Sequence, residues 1–71
     1  MTQASRHAVR SEEERLVTVQ EAAHILGLSV RAVYRLVASQ ELPGPVKIGR
    51  ATRFPVSELW AYIEQLKARR R

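Results

Sequence analysis

The stretch LGLSVRAVYRLVASQELPGP, residues 26–45, places Arg31, Tyr34 and Arg35 three and four residues apart. That spacing stacks them on one face of a helix. Two guanidinium groups one turn apart present forked N–H donors, which fit guanine O6 and N7 or bridge phosphates. The Tyr34 hydroxyl can donate to a phosphate, or its ring can pack on a sugar. Downstream, VKIGRATRFPV (46–56) carries Lys47, Arg50 and Arg53 and no acid. Lys47 and Arg53 suit phosphates, which fix register without reading sequence. Arg50 falls near the tip of the turn, the place for insertion into a narrow, electronegative minor groove. Plainer readings stand beside these. Arg31 and Arg35 also fit a solvated helix face, and Tyr34 fits partial burial with only its hydroxyl outside. Lys47 and Arg53 also fit edge-strand charges that discourage sheet aggregation.

The rest of the chain narrows the choice of chemistry. Seventy-one residues make one small domain, too small for a deep pocket with a supporting shell. No nucleophile–base pair or paired acids are visible, so an enzyme is not expected. His7 and His24 lie far apart and there is no cysteine, so neither a metal site, a cofactor nor a disulfide is expected. An apolar content of 45% argues against full disorder. The apolar runs are too short to span a membrane, and the N-terminus lacks the apolar core of a signal peptide. Membrane association is not expected, and the absence of cysteine fits a reducing cytoplasm. The net charge of +5 is uneven. Residues 1–42 are neutral in sum, 43–55 carry +3 and 56–71 carry +2. Such a distribution suits a polyanionic partner.

Positioning those side chains requires a frame, and the chain spells one out. Residues 1–10 have no apolar period and read as a tail, and SEEER (11–15) has capping-box spacing or is an acidic linker. Leu16 and Val17 suit a short extended stretch. Thr18 with Glu21 forms a second capping box ahead of Val19, Ala22, Ala23 and Leu26 at helical spacing. Gly27 can close that helix in the left-handed region, with Leu28 supplying the accompanying apolar contact, and Ser29 can cap the next helix at once. The second helix is expected from about Val30 to about Ser39. Its core stripe is Val30, Val33, Leu36 and Val37, and its open face is Arg31, Tyr34, Arg35 and Ala38. Pro43-Gly44-Pro45 stops it. A hairpin follows, Val46–Ile48 against about Thr52–Phe54 across Gly49 to Thr52, with its apolar side on the helices and Lys47, Arg50 and Arg53 accessible. Pro55 to Glu58 opens a third helix whose buried stripe is Leu59, Tyr62, Ile63 and Leu66. Trp60, Tyr62 and Phe54 read as core, and the KARRR ending reads as a frayed basic tail on a helix C-terminus.

In this order the residues carry a resemblance. LVTVQEAAHILGLSVRAVYRLVASQELPGPVKIGRATRFPVSELWAYIEQL, residues 16–66, resembles the excisionase/AlpA-type winged helix-turn-helix proteins, relatives of the DNA-binding domain of MerR-type regulators. The pieces are T-x-x-E-A-A (Thr18 to Ala23), L-G-L-S (Leu26 to Ser29), V-Y-R (Val33 to Arg35) and E-L-P (Glu41 to Pro43). V-x-I-G-R (Val46 to Arg50), R-F (Arg53, Phe54) and S-E-L-x-A-Y-I (Ser57 to Ile63) complete the set. Ala51-Thr52 departs from it, since many relatives place basic or aromatic residues there.

The resemblance implies a mainly α fold with a small β-hairpin: three helices and a two-stranded wing, in a domain of residues 16–66 between an N-terminal tail (1–15) and a basic end (67–71). It implies a second helix that enters the major groove of double-stranded DNA, offering Ser29, Arg31, Ala32, Tyr34 and Arg35. The wing offers Lys47, Gly49, Arg50 and Arg53 to the backbone or the adjacent minor groove. Family members help an integrase or other recombinase excise a prophage or mobile element, and others are small transcriptional regulators. Some bind side by side as several copies and bend DNA. The location implied is the cytoplasm, on a bacterial or phage nucleoid. No heptad follows the domain, so further copies are expected to assemble on DNA rather than as a stable dimer. A protein-interaction module on the same fold is the reading from another class, and it requires an exposed apolar patch in place of a basic wing.

Overall fold

The computed structural model describes residues 15–70. Its elements, in chain order, are β1 (Leu16–Val17), α1 (Val19–Leu26), α2 (Val30–Ala38), β2 (Val46–Ile48), β3 (Ala51–Pro55) and α3 (Val56–Arg69). This is a mainly helical winged helix-turn-helix. SEEER, apart from Arg15, and the tail before it lie outside the described residues, as does Arg71.

Local chemistry sets the boundaries of α1 and α2. Thr18 caps α1 with a full capping box: its Oγ1 accepts the Glu21 N–H at 3.1 Å, and Glu21 Oε1 accepts the Thr18 N–H at 2.9 Å. At the other end Gly27 sits at φ 71°, a left-handed angle that costs glycine little. The Leu28 N–H then reaches back to the Ala23 carbonyl at 2.9 Å and that of Gly27 to His24 at 3.1 Å, a Schellman closure. Ser29 caps α2 at once, its Oγ accepting the Ala32 N–H at 3.1 Å. Helix α2 ends in the same way, with Glu41 N–H on Leu36 O and Gln40 N–H on Val37 O, both at 3.0 Å. Here the left-handed residue is Gln40 at φ 65° rather than a glycine. That angle carries a steric cost for any residue with a Cβ.

The sheet has three antiparallel strands in the order β1-β3-β2. Leu16 and Val17 thus do more than extend: they pair with Pro55 and Phe54, an added strand beside the expected two-stranded wing. The Val56 N–H continues the pairing to Arg15 O at 2.8 Å. Between β2 and β3 the register is Val46 with Arg53, Lys47 with Thr52 and Ile48 with Ala51, so the turn is the two residues Gly49-Arg50. Gly49 has φ 60° and Arg50 does not have positive φ, the pattern of a type II′ turn.

Val17, Ala22, Ala23, Val33, Leu42, Phe54, Val56, Leu59 and Tyr62 form the buried core. Four expectations about packing are corrected by it. Val46 and Ile48 do not lie on the helices; every residue of β2 is exposed, Ile48 at 56%. Phe54 fixes the inward face of β3, and because side chains alternate, Val46 and Ile48, opposite Arg53 and Ala51, fall on the outer face. Trp60 is not core, at 52% exposed, because it stands about 100° around α3 from buried Leu59. Leu66 is also exposed, since α3 outruns the core. The basic ending is helical through Arg69 rather than frayed. Leu42, which follows the Schellman turn at 1% exposed, takes a core place that its loop position concealed.

Candidate nucleic-acid interface

Helix α2 separates its two faces cleanly. Val33 is buried and Val30, Leu36 and Val37 are half-buried against the core, while Arg31, Tyr34, Arg35 and Ala38 are exposed. The apolar stripe anchors the helix, so its orientation is set by packing and its cations are left to solvent. At the N-terminus the Ser29 cap takes the Ala32 N–H, and Val33 N–H bonds Ser29 O at 3.1 Å. The Val30 and Arg31 N–H groups have no partner among the described residues, so the positive end of the helix dipole carries two open donors, a fit for a phosphate. Ala32 itself is half-buried, and its backbone donor is already used by Ser29.

Tyr34 serves two ends. Its ring meets Phe54 edge-to-face, centroids 6.5 Å apart and planes at 61°, yet the residue remains 45% exposed. This is an aromatic pair of favourable geometry. It ties α2 to β3, the strand that carries the wing. The expectation of partial burial and that of an outward hydroxyl are therefore compatible in one side chain.

The wing cations are not equivalent. Lys47 and Arg50 are exposed, and Lys47, opposite Thr52, stands on the sheet face that also bears Phe54 and its neighbour Tyr34. Gly49 is exposed and supplies the turn that projects Arg50. Arg53 is half-buried, and its guanidinium donates to the Thr52 carbonyl at 2.9 Å. It lies on the outer face with Val46 and Ile48. The Thr18 N–H holds the Glu21 carboxyl below the usual carboxylate range, with Arg15 and Arg53 adding to the effect. Arg53 thus has a role within the fold that Lys47 and Arg50 lack.

Two acids border this surface, Glu21 beside Arg53 and Glu41 in a groove shared with Arg35. Glu41 and Glu58 line a cleft of about 370 Å³ between the C-terminal end of α2 and α3, and Glu64 pairs with Lys67 at 3.2 Å. Neither the α2 open face nor the wing strands carry a carboxylate. No group of three His, Asp or Glu that could hold a metal occurs among the described residues, and no helix there is long and apolar enough to cross a membrane.

A capped α1, a glycine turn, a capped α2 with cations on its open face and a basic two-stranded wing define a winged helix-turn-helix DNA-binding protein. Comparison with known families agrees: residues 16–67 match the helix-turn-helix domain family, and the chain belongs to it. No curated protein and no solved structure matches the chain.

Proposed function

We propose that the chain is a sequence-specific double-stranded DNA-binding protein of the excisionase type, architectural and non-catalytic, which helps an integrase excise a prophage or mobile element. The observation that carries the DNA-reading part is the exposure of Arg31, Tyr34 and Arg35 on the open face of α2, beside an acid-free wing. Arg31 and Arg35 read base edges in the major groove, where each bidentate Arg–guanine pair discriminates by about 1–3 kcal/mol. The free donors after Ser29, the Tyr34 hydroxyl and Lys47 hold phosphates, while Ala32 and Gly49 allow close approach of the backbone. Arg50 enters the minor groove. Arg53 contributes charge near the backbone while holding Thr52. Further copies bind side by side on the same DNA.

Selection from a pool of randomised duplexes tests the reading, followed by an excision reaction with an integrase encoded beside the gene. A recovered consensus and stimulated excision support it. A consensus with no effect on excision reassigns the same face to a small transcriptional regulator. Negligible affinity even at low salt leaves the protein-interaction module.

A further inference from the structure

The open face of α2 and the wing do not account for all the unpaired positive charge. We propose that the last turn of α3 is a second DNA-backbone anchor beside α2, using Arg69 and Arg70 to hold phosphates flanking the recognition site. The proposal rests on the DNA-binding reading above and extends its footprint.

Three observations support it. The first is position. Leu66 of α3 lines a groove of about 510 Å³ that runs the length of α2, from Leu28 and Ala32 past Arg35 to Ser39 and Glu41. Arg69 and Arg70 follow Leu66 by one turn, about 5–6 Å further along the axis. They therefore stand at the α3 end of this groove, on a side of α2 that Arg35 shares. The second is order. Helix α3 is regular through Arg69, and the Arg70 N–H still bonds Leu66 O at 3.2 Å, so the backbone that carries both cations is held by the helix. The third is charge. Lys67 is paired with Glu64, whereas Arg69 and Arg70 have no acidic partner among the described residues. Glu58 lines the separate cleft between α2 and α3 and Glu41 lines both, with no ion pair to either arginine among the described residues.

Together these give the molecule two sets of exposed cations around the reading helix: Lys47 and Arg50 in the wing, and Arg69 and Arg70 at the end of α3. Backbone contacts on both flanks of a major-groove helix set its register without reading bases. A plainer role exists, because cations at a helix C-terminus complement its dipole. That role acts on stability alone, so a DNA readout separates the two.

The test uses the full chain and a labelled random-sequence duplex of about 30 base pairs, with affinity measured across a salt series. Arg69→Gln/Arg70→Gln is expected to flatten the plot of log K against log salt by about 2, roughly 0.9 per phosphate lost. Affinity near 0.1 M salt is then expected to fall by about ten- to a hundredfold. Arg69→Lys/Arg70→Lys keeps the charges and is expected to restore the slope. Thermal unfolding of both variants reports the dipole contribution separately. An unchanged salt slope in the Gln pair overturns the anchor while leaving the DNA-binding reading intact, and a lowered melting point alone would do the same. Failure of the unaltered protein to bind the duplex at low salt overturns both.

Discussion

Tyr34→Ala and Tyr34→Phe together divide what this residue does for the fold from what it does for DNA. Tyr34 hides slightly more than half of its surface, against Phe54 and the neighbouring core. For a side chain that buries about 150–250 Å² in full, this amounts to about 100 Å² withdrawn from water. At about 25 cal/mol per Å² that contact stabilises by about 2.5 kcal/mol, with about 0.5–1.5 kcal/mol more from the edge-to-face geometry. Tyr34→Ala is therefore expected to lose about 2–4 kcal/mol, a large share of what a domain of this size possesses. In a two-state melt that is a drop of at least about 10 °C. Tyr34→Phe keeps the ring on Phe54 and removes only a solvent-facing hydroxyl, so its stability stays within about 0.5 kcal/mol of the parent. Its DNA affinity falls by about 1.5–3 kcal/mol if the hydroxyl donates to a phosphate, a charged acceptor. Urea unfolding and DNA titration of both variants supply the four values. If Tyr34→Ala unfolds at the parent's midpoint, the ring does not couple α2 to β3 and the reasoning fails.

Four further outcomes follow from the geometry. Gln40→Gly relieves the left-handed angle at the C-terminus of α2 and is expected to stabilise by about 1 kcal/mol in chemical denaturation, less the entropy glycine adds to the unfolded chain. Gly27→Ala, at the matching position of α1, is expected to destabilise by about 1 kcal/mol or more. Leu42→Ala empties a fully buried site and is expected to cost about 2–5 kcal/mol by the same assay. The Glu21 carboxyl is held below its ordinary range in the folded state, so its stabilising effect is present above the unfolded pKa and is lost as pH falls through the folded one. Unfolding midpoints measured from neutral pH down to about 3 should fall less steeply for Glu21→Gln than for the parent.

How much of this was legible in the sequence depended on whether the signal was local. The capping pairs Thr18–Glu21 and Ser29–Ala32, the glycine at the end of α1 and the split faces of α2 are set by residues within one or two turns, and all three helices were visible. The strand pairing was only half visible. Leu16-Val17 is too short to declare a partner, and Phe54 and Pro55 become one only when the chain closes. The outer placement of Val46 and Ile48 had the same cause: β-forming residues do not state which face is covered, and Phe54 decides it through register. Trp60 was misplaced by size, since a large aromatic in a small domain invites a core assignment that its angle on α3 denies. Leu42 and Gln40 were hidden by loop context, although each is fixed by the Schellman turn. The exposure of Arg31, Tyr34, Arg35, Lys47 and Arg50 was legible from their types and spacing. The groove that α3 shares with α2 is a long-range fact that spacing does not carry, and the bond from Arg53 to its neighbour Thr52 is a rotamer choice that residue type does not announce.

The division of labour between helix and wing is tested most directly by Arg35→Ala and Lys47→Ala, each titrated against a selected site and a random duplex at one salt concentration. Arg35→Ala is expected to lose about 1–3 kcal/mol more on the selected site than on random DNA, and to relax preference at one base position. Lys47→Ala is expected to weaken both duplexes equally, with the salt slope reduced by about 1. Equal losses on the two duplexes for both variants would contradict the claim that α2 reads bases.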